Sequence, residues 1–115
     1  MTTFDALGLD ERLIKATDEL GFVNPTPIQE KAIPVLLSGT KDLVGLAQTG
    51  TGKTAAFTIP ILQRMYMDKT PSEKNTPKIR ALILTPTREL AIQIGERVNA
   101  YGKYLSVRHL VVFGG

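Results

Sequence analysis

Residues 47–54, Ala47-Gln48-Thr49-Gly50-Thr51-Gly52-Lys53-Thr54, constrain this chain more than any other segment. Two glycines separated by one residue let the backbone turn so that successive N–H groups face the same side. Ahead of them, residues 42–47 form a short apolar run (Leu43, Val44, Leu46) bounded by polar turns, which reads as a buried strand. From Lys53 onward, with Ala56, Pro60 and Leu62, the pattern reads as a helix. Strand, glycine turn and helix make a setting in which backbone N–H groups and the helix dipole can hold a phosphate. The segment matches the phosphate-binding loop except that Ala47 replaces the first glycine. In such a loop Lys53 reaches the β and γ phosphates, and the Thr54 hydroxyl helps to hold Mg²⁺. A glycine turn with an incidental lysine is the plainer alternative, and the position between strand and helix argues against it.

The remaining pattern extends the same architecture. Asp10 can cap a helix whose positions Leu13, Ile14, Thr17 and Leu20 follow a 3.6-residue period, with Gly21 placed to end it. Thr26-Pro27-Ile28-Gln29 reads as an N-cap, a first-turn proline and a capping-box glutamine, opening a second helix that runs to about Gly39. Pro34 inside it should kink it. Residues 68–78 contain two prolines and several charges but no large aliphatic residue, and read as a solvated loop. Residues 79–85, with Ala81 to Leu84 in succession, have the near-continuous apolar character of a strand covered on both faces. Thr87 can cap a helix with Leu90, Ile94, Val98 and Tyr101 on one face, and residues 107–113 read as a third strand. Alternating strands and helices imply right-handed crossovers and an α/β domain with a parallel sheet flanked by helices.

Composition narrows the class. A chain of 115 residues with 43% hydrophobic and 22% charged residues suits one ordinary globular domain. The longest apolar stretch is far short of the roughly 18 residues that span a bilayer, and no membrane partner is expected. With no cysteine, disulfides, thiolate nucleophiles and cysteine-held metals are excluded. A cytoplasmic location is the resulting expectation. A net charge of +3 permits a polyanionic partner without requiring one.

Three segments together carry a resemblance. Residues 21–29 (Gly21-Phe22-Val23-Asn24-Pro25-Thr26-Pro27-Ile28-Gln29), the loop 47–54, and Pro86-Thr87-Arg88-Glu89-Leu90-Ala91 resemble, in this order, the first signature motifs of DEAD-box RNA helicases. Phe4, seventeen residues before Gly21, resembles that family's isolated upstream aromatic, and Gly114-Gly115 resembles its glycine doublet. The likeness covers nearly the whole chain. It implies a partial RecA-like P-loop domain, with residues 1–40 carrying adenine recognition and residues 41–115 an incomplete ATP-binding unit.

By that resemblance Gln29 reads the adenine edge, Phe4 packs against the base, and Phe22 and Thr26 complete the adenine-side set. Gln48, Thr49, Gly50, Thr51, Gly52, Lys53 and Thr54 hold the phosphates of ATP, Lys53 and Thr54 being the catalytic pair and Thr54 the Mg²⁺ ligand. A carboxamide can donate and accept at adenine together. Gln29 can equally serve only as the reciprocal partner of Thr26 in a capping box. Pro86, Thr87, Arg88, Gly114 and Gly115 would touch the RNA sugar-phosphate backbone, a sequence-independent contact, although Thr87 alone also reads as a plain helix cap. His109, the one histidine, alternates with Val107, Val111 and Phe113 and is expected as a core or edge residue rather than a ligand. Phe57, Met65, Tyr66 and Met67 read as packing residues.

Neither 79–85 nor 107–113 carries a carboxylate that could organise Mg²⁺, and the Asp-Glu-Ala-Asp sequence that names the family is absent. The expectation is an N-terminal portion of an ATP-dependent RNA helicase that, alone, neither hydrolyses ATP nor unwinds RNA. An open sheet edge would invite pairing with a second copy. The competing readings are another P-loop NTPase and a module that binds nucleotide or RNA without turnover.

Overall fold

The computed structural model describes residues 3–46, 52–67 and 79–113. Phe4–Leu7 form a 3₁₀ turn, followed by four helices: α1 (Glu11–Glu19), α2 (Pro27–Ser38), α3 (Lys53–Met67) and α4 (Arg88–Tyr101). The expected loop 68–78, the glycine-loop residues 47–51 and Gly114-Gly115 lie outside the described residues.

Local chemistry sets the helix ends. The Asp10 carboxylate accepts the Arg12 backbone N–H at 2.9 Å and opens α1. At the other end Gly21 adopts φ +84°, its N–H donates to the Asp18 carbonyl at 3.0 Å, and the Phe22 N–H donates to the Thr17 carbonyl at 2.9 Å. This pair of bonds is a Schellman closure, which satisfies the last carbonyls and turns the chain towards Phe22. Helix α2 opens on Thr26 with Pro27 in its first turn, passes through Pro34 as one helix, and stops at Gly39, φ +68°. Thr87 opens α4 by accepting the Leu90 N–H at 3.1 Å.

Helix α3 is the centre of the packing, with α2 and α4 against it and α1 against α4. Ala55, Ile59 and Leu62 turn inward from α3 to meet Leu13 of α1 and Ile33 of α2, all essentially inaccessible to water. Close approach is visible at Gly95, where a Cβ would come within 2.5 Å of Val111 Cγ2, so the segment after α4 folds back onto that helix. Leu20, expected on the buried face of α1, is exposed because the helix has already ended there.

Among the described residues no strand is present, so the parallel sheet expected from 42–47, 79–85 and 107–113 is not seen there. The expectation that 79–85 is covered on both faces is corrected. Ile83 and Thr85 are half-buried, whereas Ile79, Leu82 and Leu84 are exposed. The same alternation recurs where Val111 is half-buried between exposed Leu110 and Val112. One face meets the helices and the other meets nothing described. A strand is defined by a neighbour that pairs with its N–H and C=O groups, and none of the described residues does so here. His109 and Phe113 are exposed, although His109 shares a face with half-buried Val111, both lying beside Gly95 of α4.

Candidate functional site

Gln29 lies in the first turn of α2 and is 3% exposed. Its Oε1 accepts the Thr26 backbone N–H at 2.9 Å, while its own N–H donates to Thr26 Oγ1 at 3.4 Å. The capping box expected from the sequence is therefore formed. The same amide does more, because Nε2 donates to the Gly52 carbonyl at 3.1 Å, twenty-three residues away. A neutral carboxamide has two donors and two lone pairs, so these bonds leave one N–H and one lone pair of Gln29 for a further partner.

Gly52 is the last residue before α3 and adopts φ +83°. A Cβ there would meet Gln29 Nε2 at 2.4 Å and Thr26 Oγ1 at 2.9 Å. Glycine is thus required both by the left-handed backbone and by the approach of the capping box. The Gly52 carbonyl also accepts the Ala56 N–H at 3.1 Å, so the bond from Gln29 falls on the first turn of α3. Lys53 is exposed and Thr54 half-buried on that turn, where a helix leaves unsatisfied N–H groups. Deeper in, the Thr58 hydroxyl donates to the Thr54 carbonyl at 2.7 Å. Of the predicted phosphate-side residues, Gly52, Lys53 and Thr54 come together with Thr26 and Gln29. Gln48, Thr49, Gly50 and Thr51 lie outside the described residues.

Phe4 is buried, with its ring 5.8 Å from that of Phe22, which lies 5.9 Å from the ring of Tyr101. Burial pushes the Tyr101 phenol above its ordinary range, with the nearby Arg97 charge acting in the opposite direction. The aromatic row links the N-terminal turn, the exit of α1 and the end of α4. Its link from Phe22 to Tyr101 was not read from the sequence, because helical spacing gives Tyr101 a face but no partner. Of the residues read as packing, Phe57 and Met65 are half-buried, Tyr66 packs on the core beneath the Arg12 guanidinium at 5.0 Å, and Met67 is exposed.

The second predicted group sits at the start of α4. Thr85, Pro86, Thr87, Arg88, Val112 and Phe113 line one cleft, with the Arg88 guanidinium 5.0 Å from the centre of the Phe113 ring. Thr85 Oγ1 donates to the Thr87 carbonyl at 2.9 Å, which shapes the turn into the helix. Pro86, Thr87 and Arg88 are all exposed. Gly114 and Gly115, next in the chain after Phe113, lie outside the described residues. No group of three His, Asp or Glu side chains is gathered among the described residues, and no helix there is long and apolar enough to cross a membrane.

Residues 26–115 match the family described as DEAD/DEAH box helicase. The chain belongs to this family. Its relatives include the DEAD-box ATP-dependent RNA helicase RhpA of Helicobacter pylori, 47% identical over 113 residues, which covers 98% of this chain and 21% of RhpA. The ATP-dependent rRNA helicase rrp3 of Schizosaccharomyces pombe is also 47% identical, over 98% of this chain and 23% of its own length. The chain thus spans about a fifth of the length of the curated relatives it matches. Among solved structures, the RNA helicase Prp28 of Chaetomium thermophilum bound to ADP superposes with a TM-score of 0.84 at 39% identity, over 100% of this chain and 27% of that one. A Saccharomyces cerevisiae Dbp5 variant bound to RNA and ADP BeF3 gives 0.78 at 38% identity, over 93% of this chain and 26% of that one. These neighbours have RecA-like DEAD-box helicase domains, and this chain shares that fold over the matched residues.

Proposed function

We propose that this chain forms the adenine-nucleotide-reading part of an ATP-dependent RNA helicase that remodels short RNA duplexes. The observation that carries the reading is the bond from Gln29 to the Gly52 carbonyl, which joins an amide suited to the adenine edge to the helix that opens on Lys53 and Thr54. Gln29 retains one donor and one acceptor, the pair that adenine N7 and N6 require. Names of the relatives and the ADP in a structural neighbour support the same reading.

In this account residues 1–40 supply the base side and residues 41–115 the phosphate side. The exposed Lys53 ammonium and the first N–H groups of α3 would oppose the β and γ phosphates, and Thr54 would hold Mg²⁺. Glycine at position 52 lets Thr26 and Gln29 pack directly on the start of α3, so that the base side and the phosphate side adjoin. Mg²⁺, when bound, would neutralise charge that develops on the phosphoryl oxygens. Gln48, Thr49, Gly50 and Thr51 would wrap the phosphates, and a parallel sheet built on 42–47, 79–85 and 107–113 would carry the loop. Phe4, Phe22 and Thr26 would complete the base side.

Pro86, Thr87 and Arg88, with Gly114 and Gly115, would hold the RNA sugar-phosphate backbone without reading its sequence. The exposed cleft at the start of α4 supports this, since a helix N-terminus beside a guanidinium suits a phosphate. We propose further that residues 1–115 alone bind nucleotide weakly at most and do not turn it over, because neither 79–85 nor 107–113 supplies a carboxylate for Mg²⁺. Calorimetric titration with ADP and GDP in Mg²⁺ tests the central assignment. A preference for ADP that disappears in Gln29→Ala, with binding of both lost in Lys53→Ala, is the expected result. Equal affinity for ADP and GDP in the wild type would refute it.

A further inference from the structure

Gln63 makes two contacts that no reading of its helix would anticipate. Its Oε1 accepts the Asp10 backbone N–H at 2.6 Å, and its Nε2 donates to the Gly8 carbonyl at 2.9 Å. One side-chain amide thus takes a donor and an acceptor from the loop between the 3₁₀ turn and α1. That loop depends on Gly8 at φ +80°, and between the two bonded residues Leu9 is 8% exposed in the core. Both partners are more than fifty positions away in the chain, so the contact is tertiary.

The contact closes a circuit. From Gln63 it runs to Gly8, back to Phe4, across to Phe22, on to the Thr26–Gln29 box, and through Gln29 Nε2 to Gly52. Helix α3 completes it, from Lys53 beside Gly52 to Gln63, about 15 Å along the axis at 1.5 Å per residue. The N-terminal segment is therefore bonded to the phosphate-side helix at two points, one at its start and one near its end. Phe4, Leu9 and Leu13 also pack with Ala55, Ile59 and Leu62 in the core, and the two amide bonds add a fixed polar register to that apolar contact.

We propose that Gln63 is a positioning residue for adenine-nucleotide binding: it touches no nucleotide, but clamps the Phe4 segment to α3 so that the base side and the phosphate side keep a fixed separation. The proposal rests on the adenine-nucleotide reading given above. It assigns to Gln63 an effect on the base and none on the phosphates.

The test uses the 115-residue chain with ADP and pyrophosphate as separate probes in Mg²⁺, with amide exchange of Asp10 as a third readout. In Gln63→Met, which keeps the length but removes the amide, Asp10 exchange should accelerate. ADP affinity should fall about tenfold, with pyrophosphate affinity unchanged within twofold. Adding Phe4→Leu to Gln63→Met should cost less than Phe4→Leu costs in the wild type, since the two act on one circuit. Gly8→Ala approaches the clamp from the loop side, where a Cβ meets nothing within 4 Å but the left-handed backbone is strained, and should likewise speed Asp10 exchange and lower ADP affinity while leaving pyrophosphate affinity unchanged. ADP affinity unchanged in both folded variants would overturn the proposal while leaving the site reading intact, as would an equal fall for ADP and pyrophosphate. A wild-type chain that binds ADP no better than pyrophosphate would overturn the adenine reading itself, and the proposal with it.

Discussion

Gln29 Nε2 lies 3.1 Å from the carbonyl oxygen of Gly52, and the space beside that glycine is closed to any side chain. Gly52→Ala would place a methyl group 2.4 Å from the Gln29 amide on a backbone at φ +83°. The left-handed conformation alone costs a non-glycine residue roughly 1–2 kcal/mol, and the displaced amide loses its bond as well. A lower midpoint in urea unfolding is expected, together with loss of ADP preference. A variant as stable as the wild type would show that the contact is not made in solution.

The caps at Thr26 and Thr87 have similar local geometry but different surroundings. Each alanine variant should lose about 1 kcal/mol of stability, as removal of an N-cap hydroxyl commonly does. Only Thr26→Ala should also weaken ADP binding, since its hydroxyl accepts the Gln29 backbone N–H, leaving the bond from the Thr26 backbone N–H to Gln29 Oε1 as the one remaining half of the box. Paired unfolding and titration of the two variants checks this, and equal effects on ADP would contradict it.

A polar knot joins α1 to the turn after α4. The Tyr104 hydroxyl and the Lys103 ammonium both donate to Glu19, Lys103 at 3.2 Å, and the Lys15 ammonium lies 4.4 Å from the centre of the Tyr104 ring. The bond from Tyr104, then that from Lys103, holds the Glu19 carboxyl below its ordinary value of 4.5. Its stabilising contribution is present above that value and is lost as the pH falls through the lowered one. The bond to Glu19 raises Tyr104 above 10.0 and Lys103 above 10.5, so their contributions hold below those values and fade as the pH climbs through the raised ones. Because the groups are exposed, the effect is small and screened by salt. Urea midpoints of the wild type and Glu19→Gln should differ between these limits and converge in acid at low ionic strength. A difference independent of pH would contradict the knot.

At the start of α4, Arg88→Ala should weaken RNA binding to a similar degree across unrelated sequences and reduce the salt slope by about one. Phe113→Leu should weaken binding less, since it removes only the ring against which the guanidinium lies. Fluorescence anisotropy with two unrelated single strands over a salt series measures both quantities. Sequence-dependent losses would show that the cleft reads bases.

We propose that a second copy covers the apolar residues that the helices leave open. Leu82, Leu84 and Leu110 are 77%, 83% and 85% exposed, so large apolar side chains on both 79–85 and 107–113 face water. Light scattering over a dilution series should show reversible association, reduced in Leu82→Lys. A constant monomer mass would contradict it.

The helix ends were legible in the sequence because each is decided within five residues. Asp10, Thr26 and Thr87 cap and Gly21 stops through bonds to their own neighbours, and Gly39 stops through its left-handed backbone. The same locality made the Thr26–Gln29 box readable. Strands were not readable to the same degree, because the apolar run 79–85 specifies burial but not the segment that will pair with it. Gln63 was missed for a related reason. A glutamine on α3 resembles any solvent-facing polar residue until Gly8 and Asp10 are brought beside it by packing. Its signal was faint: it stands four residues after buried Ile59, next to buried Leu62, where an aliphatic side chain would fit the pattern equally well.

The most direct measurement is a heteronuclear NMR titration of the chain with ADP and, separately, GDP in Mg²⁺, following the Gln29 side-chain amide and the backbone amides of Gly52, Lys53 and Thr54. The account predicts that ADP shifts all of them with one apparent affinity, whereas GDP leaves the Gln29 amide nearly unmoved. Shifts at Lys53 and Thr54 with an unperturbed Gln29 in ADP would mean that the phosphate side works without an adenine reader, contradicting the central claim.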